Sequence, residues 1–355
     1  MQSHKISVII LNYNGSKYIV NCLSSVLKSS YDNFEVILVD NASTDDSISI
    51  VEELFNDERI RIVRNSSNLG FCEGNNIGYK YTNGDYLVFL NNDTEVDPKW
   101  LDELVKVMES EQKIGIAQSK LLLLNNRQIF DSTGDFLDYY CLSMQRGLDE
   151  IDRGQYDNVE EIFSARGASL IIKRKVIKDV GLFDPDFYLG YEDIDLCWRV
   201  RLRGYKVMYV PKSIVYHKGN GTPSNVKLYH SQKNIIILMI KNYNAKNIIK
   251  YLPGCLVIIF GGFIKNFFTM KDNKNVLVTL KSFRWILKNL QNIFIKRYII
   301  QHRVRKVTDN KVKNIMLHTN FRLYTRYMLE MIRVMNNPEG IKNLRKWYYF
   351  ITKPI

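Results

Sequence analysis

The sequence predicts an α/β fold: a mostly parallel sheet with flanking helices, followed by a basic helical C-terminal region. Three observations predict it. Short apolar runs alternate with segments of helical spacing through the first half, as for strands buried on both faces. Polar residues (Asn12, Asp40, Asn91 to Asp93) fall at the ends of those runs, the edge where open α/β sheets take ligands. The charge is divided: residues 221–355 hold 25 Lys and Arg against 4 Asp and Glu, and residues 1–220 hold 25 against 33.

Each element has its own signal. Ile6 to Leu11 (ISVIIL) is a buried strand, and the apolar spacing from Gly15 to Ser29 is helical. Phe34 to Val39 is the second strand. Asp45-Asp46 then places acid in the first turn of a helix, where the helix dipole favours it. Arg59 to Arg64 is a third strand, Gly70 to Tyr81 a helix, and Asp85 to Leu90 a fourth strand. Pro98 stands near the start of another helix. Residues 125–160 are polar and irregular and read as a hairpin or excursion. Phe163 to Ile172 returns to strand character. The helix from Glu192 to Arg203 stops at Gly204, a good terminating residue. Val207–Val210 and Ile214–Tyr216 read as two short strands, the second closed by His217. From Lys227 to Tyr243 and beyond the chain is helical, basic and aromatic.

A length of 355 residues holds one large domain and a smaller one, here 1–220 and 221–355. The five cysteines (Cys22, Cys72, Cys141, Cys197, Cys255) show no CxxC spacing and suit a reducing compartment. No secretory leader is expected at the N-terminus. No run of eighteen apolar residues exists, so no spanning helix is expected. The run Leu256 to Ile264 suits one leaflet at most.

Five places carry chemistry. Asp40-Asn41-Ala42-Ser43 reads as a capping turn or, at the ligand edge, as recognition of a nucleotide base or ribose. Asn68-Leu69-Gly70 and Gly74 allow close backbone approach at a helix start that favours phosphate. They match neither GxGxxG nor a Walker loop, which argues against a dinucleotide dehydrogenase or an ATPase. Asn91-Asn92-Asp93-Thr94 reads as a turn or as a site where Asp93 holds a divalent cation on a diphosphate. Glu192-Asp193 reads as an acidic first turn or as a base site after the aromatic residues Phe187, Tyr188 and Tyr191, whose faces suit a sugar ring. Asp195 stands four residues before Arg199 and is assigned to a helix salt bridge. His217 ends a strand and is a candidate for a metal or phosphate contact.

Taken together, SVIILNYN (7–14), VDNASTDDS (39–47), RNSSNLGFCEGNNIG (64–78), GDYLVFLNNDT (84–94), RGASLIIKR (166–174), VGLFDPDFYLGYEDIDLCWRVRLRGYKVMYVP (180–211) and VYH (215–217) resemble the inverting family 2 glycosyltransferases of GT-A fold, in their rhamnosyltransferase-like bacterial branch. The resemblance spans nearly all of residues 5–220 and fades after about residue 240. It implies a Rossmann-like GT-A domain that uses a nucleotide-diphosphate sugar, UDP- or dTDP-linked, with Mg2+ or Mn2+. On this resemblance Asp40 contacts the nucleobase, and Asn12, Asn68, Gly70, Asn91 and Asn92 line the nucleotide site. Asp93 and His217 hold the metal. Asp193, with Glu192 beside it, is the base that deprotonates the acceptor hydroxyl. Asn91 departs from the family's D-x-D motif and removes one negative charge from the metal site.

The acceptor implied is a saccharide or a polyprenyl-linked saccharide, in cell-surface polysaccharide assembly. The basic C-terminal region suits an anionic membrane surface, with Lys265-Asn266-Phe267-Phe268, Phe283-Arg284-Trp285 and Lys346-Trp347-Tyr348-Tyr349 interleaving cations and aromatics. That places the protein in the cytoplasm, peripheral on the inner face of the cell membrane. A solvated helical hairpin is the plainer reading of the same region. Nucleic acid is not an expected partner, because no zinc-finger spacing or RNP-like motif is present. The alternative function is a non-catalytic scaffold that keeps the nucleotide fold and binds membrane or nucleic acid through the basic tail.

Overall fold

The computed structural model describes residues 4–219, 224–269, 273–334 and 337–353. The chain divides into two compact units, Met1–Gly134 with Gly147–Gly221, and Asp135–Arg146 with Thr222–Ile355.

In the first unit, β1 (Ile6–Asn12), α1 (Ile19–Leu27), β2 (Phe34–Asp40), α2 (Ser47–Leu54), β3 (Ile60–Arg64), α3 (Gly70–Tyr79) and β4 (Tyr86–Asn91) alternate. The four strands are parallel neighbours in the order β4-β1-β2-β3. Ile6, Val8 and Ile10 pack with Ile19, Leu23 and Val26 of α1, so one strand face and one helix stripe share a core. On α3, a Cβ at Gly78 would lie 2.7 Å from Ile9 and 2.8 Å from Val39. Glycine there lets the helix backbone lie against the sheet.

β5 (Thr94–Val96), α4 (Trp100–Ser110), β6 (Ile114–Leu123) and β7 (Asn126–Ser132) come next. Trp100, Leu101, Leu104 and Met108 of α4 are fully buried in the core on the α1 side. The chain then passes to the other unit for β8 (Asp135–Leu137) and β9 (Ser143–Gln145). On its return it forms β10 (Glu160–Glu161), β11 (Ser169–Lys173), α5 (Arg174–Val180), α6 (Glu192–Arg203) and β12 (Lys206–His217). The full order β10-β12-β6-β11-β4-β1-β2-β3 contains a second parallel pair, β6 with β12. The antiparallel strand β11 joins it to the first four strands.

Two strand expectations change in detail. Strand structure near residue 170 covers Ser169–Lys173 and leaves out Phe163 to Ala168. Lys206–His217 is one strand with a register shift between Val210 and Ile214. Pro211 has no N–H to give the ladder, so the interruption looked like a strand end in sequence.

The second unit holds α7 (Ser224–Asn242), α8 (Ala245–Thr269), α9 (Asn273–Lys288), α10 (Leu290–Ile299), a π turn at Ile300–Val304, α11 (Asp309–Lys313), α12 (Phe321–Val334), α13 (Pro338–Thr352) and the β8–β9 hairpin. Among the described residues no helix is long and apolar enough to cross a membrane. The hairpin is fastened by Asp138. Its fully buried carboxylate accepts from Tyr348 Oη at 2.6 Å, Tyr140 N at 2.8 Å and Leu142 N at 2.9 Å. Tyr140 stacks on Tyr324 at 4.6 Å, and Phe136 meets Tyr349 edge-on at 5.4 Å.

These packings take single aromatics out of the expected membrane clusters. Tyr348 is fully buried, and Trp285 carries the Lys233 ammonium 4.2 Å from its ring, inside the unit. The side chains of Lys265 to Phe268 lie outside the described residues.

Burial pushes the Asp138 carboxyl from its ordinary 3.8 up to about 7 against its hydrogen bonds. Between those values the unfolded chain has released a proton that the folded chain keeps. Stability from this group is therefore present below about pH 4 and is lost as pH rises toward 7. Thermal unfolding followed across that window is expected to show the decline, and Asp138→Asn to flatten it. An unchanged slope in the variant would exclude Asp138 as its source.

Candidate active site

The loops at the C-terminal edge of the parallel strands are tied by amides. Asn12, at the end of β1, is fully buried. Its Nδ2 donates to Ser43 Oγ at 3.1 Å and Ser47 Oγ at 2.8 Å, and its Oδ1 accepts from Asn92 Nδ2 at 2.8 Å. Asn12 thus fastens the loops after β2 and β4 to β1. Gly15 makes room for this joint, since a Cβ there would lie 2.2 Å from Asn12 Oδ1 and from Asn92 Nδ2.

Asn41 fastens the next loop. Its Oδ1 accepts from Asn65 Nδ2 and Leu69 N, both at 3.1 Å, and its Nδ2 donates to Asn68 Oδ1 at 2.9 Å. Asn68 Oδ1 also accepts from Gly70 N at 2.9 Å. Asp40 accepts from Ser43 N at 3.3 Å in an Asx-type turn. Gly70 has φ +75°, and a Cβ there would lie 2.5 Å from the Tyr188 ring. Position 70 therefore excludes a side chain on two grounds.

At the ends of β4 and β12 a second group gathers. Strand register sets His217 opposite Thr94 of β5, and Lys218 N donates to Asp93 O at 3.0 Å. His217 Nε2 consequently lies 3.3 Å from Asp93 Oδ1 and 3.2 Å from Asn91 Nδ2. Its Nδ1 lies 2.9 Å from Asp131 Oδ2 on β7. Burial works against a charged imidazole, but Asp131 and Asp93 outweigh it and push His217 up to about 9.

Glu192 and Asp193 open α6 after a loop of left-handed residues, Tyr188 (φ +59°), Gly190 (φ +78°) and Tyr191 (φ +70°). Positive φ at two tyrosines costs energy, and such positions cluster at functional sites. Glu192 is buried, and its Oε2 has no hydrogen-bond partner among the described residues. Burial and the adjacent Asp193 push it up to about 8. Asp193 is partly exposed. It accepts from Ile194 N at 2.8 Å and from Gly167 N at 3.3 Å. Burial raises its carboxyl, and the Arg166 charge opposes the rise. Asp195 pairs with Arg199 at 2.8 Å, the expected helix bridge. Tyr188 and Tyr191 reach the surface, whereas Phe187 is fully buried and leaves the expected sugar-facing set.

Arg166, Gly167 and Ala168 join the two acidic groups. Arg166 lies 3.7 Å from Asp131, Gly167 N donates to Asp193, and Ala168 O accepts from Asn91 N at 3.2 Å. One short segment thus touches the His217–Asp131 pair, the Asp193 carboxylate and the end of β4. The sequence reading missed Arg166 and Asp131 as site residues. The signal for Arg166 was its place at the head of the segment RGASLIIKR (166–174).

Among the described residues no three carboxylate, imidazole or thiol groups converge on one point. Asn91 stands where a further carboxylate would complete such a set. A carboxylate, a carboxamide and an imidazole held by a carboxylate on its far nitrogen still fit a divalent cation that would displace the His217 Nε2 proton and take its other ligands from phosphate oxygens.

Glycosyl transferase family 2 matches residues 7–123, and Glycosyl transferase family group 2 matches residues 86–295. The chain belongs to the family 2 glycosyltransferases. An uncharacterized glycosyltransferase of Haemophilus influenzae is 33% identical over 124 residues, covering 35% of this chain and 38% of the relative. The poly-beta-1,6-N-acetyl-D-glucosamine synthase of Staphylococcus epidermidis is 24% identical over 219 residues, covering 61% of this chain and 50% of the relative. This glycosyltransferase thus spans half or less of the curated relatives it matches. A mannosyltransferase from Pyrobaculum calidifontis, solved with GDP-Man and Mn2+, superimposes with a TM-score of 0.52 at 14% identity, covering 85% of this chain and 86% of that one. The shared architecture is the GT-A fold.

Proposed function

We propose that this glycosyltransferase moves a sugar from a nucleotide-diphosphate sugar to a saccharide or lipid-linked saccharide, with inversion, in cell-surface polysaccharide assembly. The observation that carries the reading is the shared segment 166–168, which places a partly exposed carboxylate and a His–Asp–Asn cluster on one sheet edge. Asp93, Asn91 and His217 would hold Mg2+ or Mn2+, which when bound neutralises charge on the diphosphate. Asp40 and the loop from Asn68 to Gly70 would take the nucleotide, with Asn12 and Asn92 fastening the floor beneath it.

The acceptor oxygen attacks the anomeric carbon from the face opposite the diphosphate. Its proton passes to Asp193, and the bond to the diphosphate oxygen breaks with its electron pair leaving on that oxygen. Glu192, held neutral beside Asp193, is left to donate a hydrogen bond. Tyr188 and Tyr191 would flank the sugar. A UDP- or dTDP-sugar is the proposed donor, rhamnose being one candidate sugar. The membrane surface is proposed as the working place, on the charge of residues 221–355.

A panel of nucleotide sugars, scored for donor hydrolysis by the purified protein, tests the reading. Turnover of one donor is expected with Mg2+ or Mn2+, stopped by chelator and restored by the ion. No turnover and no thermal protection by any nucleotide sugar would favour the non-catalytic scaffold.

A further inference from the structure

Among the described residues, one helical face in the second unit carries a run of large exposed apolar side chains. Leu277, Leu280, Arg284 and Leu287 of α9 continue into Gln291, Phe294 and Tyr298 of α10. The steps alternate three and four residues, so these side chains form one stripe about 30 Å long. All seven are exposed: Leu277 57%, Leu280 52%, Leu287 67%, Phe294 55% and Tyr298 61%. Ile295 and Ile299 widen it at the α10 end. The opposite face is packed, with Thr279, Ser282, Ile286 and Ile293 buried. The helices therefore have their own core contacts, and the outward leucines are surplus to them. Single exposed apolar residues need no explanation, but a continuous stripe marks an interaction surface.

Charge selects the occupant. Lys281, Arg284 and Lys288 are exposed on the same face as the leucines. From Asn273 to Thr308 the sequence holds nine Lys and Arg and no Asp or Glu. A second copy laid along the stripe would bring these cations against their own counterparts. A nucleic acid would meet the cations but leave leucine and phenylalanine in water. An anionic lipid surface satisfies both groups, with headgroups at the ammonium and guanidinium groups and acyl chains at the apolar side chains.

We infer that the α9–α10 face is a membrane-docking surface for anionic lipid, lying flat at the headgroup boundary. The inference rests on the membrane reading proposed above and assigns that role to one face. The aromatics at Trp285 and Tyr348 have no part in it.

Sedimentation of the full-length protein with vesicles tests this, using equal parts phosphatidylcholine and phosphatidylglycerol against phosphatidylcholine alone. The wild type is expected to bind the anionic vesicles, with a fraction that resists salt. Lys281→Gln with Arg284→Gln and Lys288→Gln is expected to weaken low-salt binding about a hundredfold. Leu280→Asn with Leu287→Asn and Phe294→Asn is expected to remove the salt-resistant fraction. Leu329→Asn, at an exposed site on α12, is expected to change nothing. Circular dichroism and donor hydrolysis in each variant guard against unfolding. If the wild type binds and both triple variants bind equally well, this face is wrong and the membrane reading survives on another surface. If the wild type ignores anionic vesicles, the membrane reading itself fails. Dimerisation without vesicles that both triple variants lose would replace lipid by a second copy.

Discussion

Asp193→Asn is expected to lower the transfer rate by about two to four powers of ten while donor affinity stays near that of the wild type. The substitution keeps the size of the side chain and its bond from Ile194 N, so α6 retains its start. It removes the capacity to take a proton. Burial raises the Asp193 carboxyl, so the wild-type rate should climb with pH as that group ionises, and the residual rate of the variant should not. Glu192→Gln is the matched control. Glu192 is pushed up to about 8 and is largely neutral at pH 7, so glutamine preserves its hydrogen-bonding role. Single-turnover rates beside calorimetric donor binding separate the two residues. Near-normal turnover in Asp193→Asn would transfer the base role elsewhere.

The second large effect is expected at the His217 cluster. Asp93→Ala removes its carboxylate oxygen, the ligand a hard divalent cation most needs. Loss of measurable metal-dependent donor binding should follow. Asp131→Asn is gentler. Asp131 faces His217 Nδ1 at 2.9 Å and directs Nε2 toward Asp93. Removing such a supporting carboxylate typically costs about ten- to hundredfold in metal affinity. Titration of Mn2+ against nucleotide diphosphate binding should therefore order wild type, Asp131→Asn and Asp93→Ala. Equal midpoints for all three would separate these residues from the metal.

The sheet was legible because its strands are short, apolar and closed by turn residues. The helix Glu192–Arg203 was placed to the residue because Gly204 stops it with φ +100°. Asp131 was not legible: it sits in a polar strand, and only the pairing of β7, β6 and β12 brings it to His217. Arg166 was lost because it lies before β11, and only the fold brings it to Asp131. In the C-terminal helices the period could be read but its direction could not. A three-four spacing of leucines describes a core face and a surface face equally well. Trp285 and Tyr348 drew attention through their basic neighbours, yet Tyr348 is buried and Trp285 half-buried against Lys233, whereas the plain leucines of α9 turn out.

The β8–β9 hairpin bears on how the protein is made. The hairpin belongs to the unit of the C-terminal helices, and its Asp138 waits for Tyr348, 210 residues further along. At ordinary synthesis rates that separation is roughly 10–40 s. The nascent chain can close strands β1 to β4 early, but Phe136 and Asp138 stay without Tyr349 and Tyr348 for that interval. Chain termination before Tyr348 leaves Asp138 without its phenol partner although every strand of the large sheet has been made.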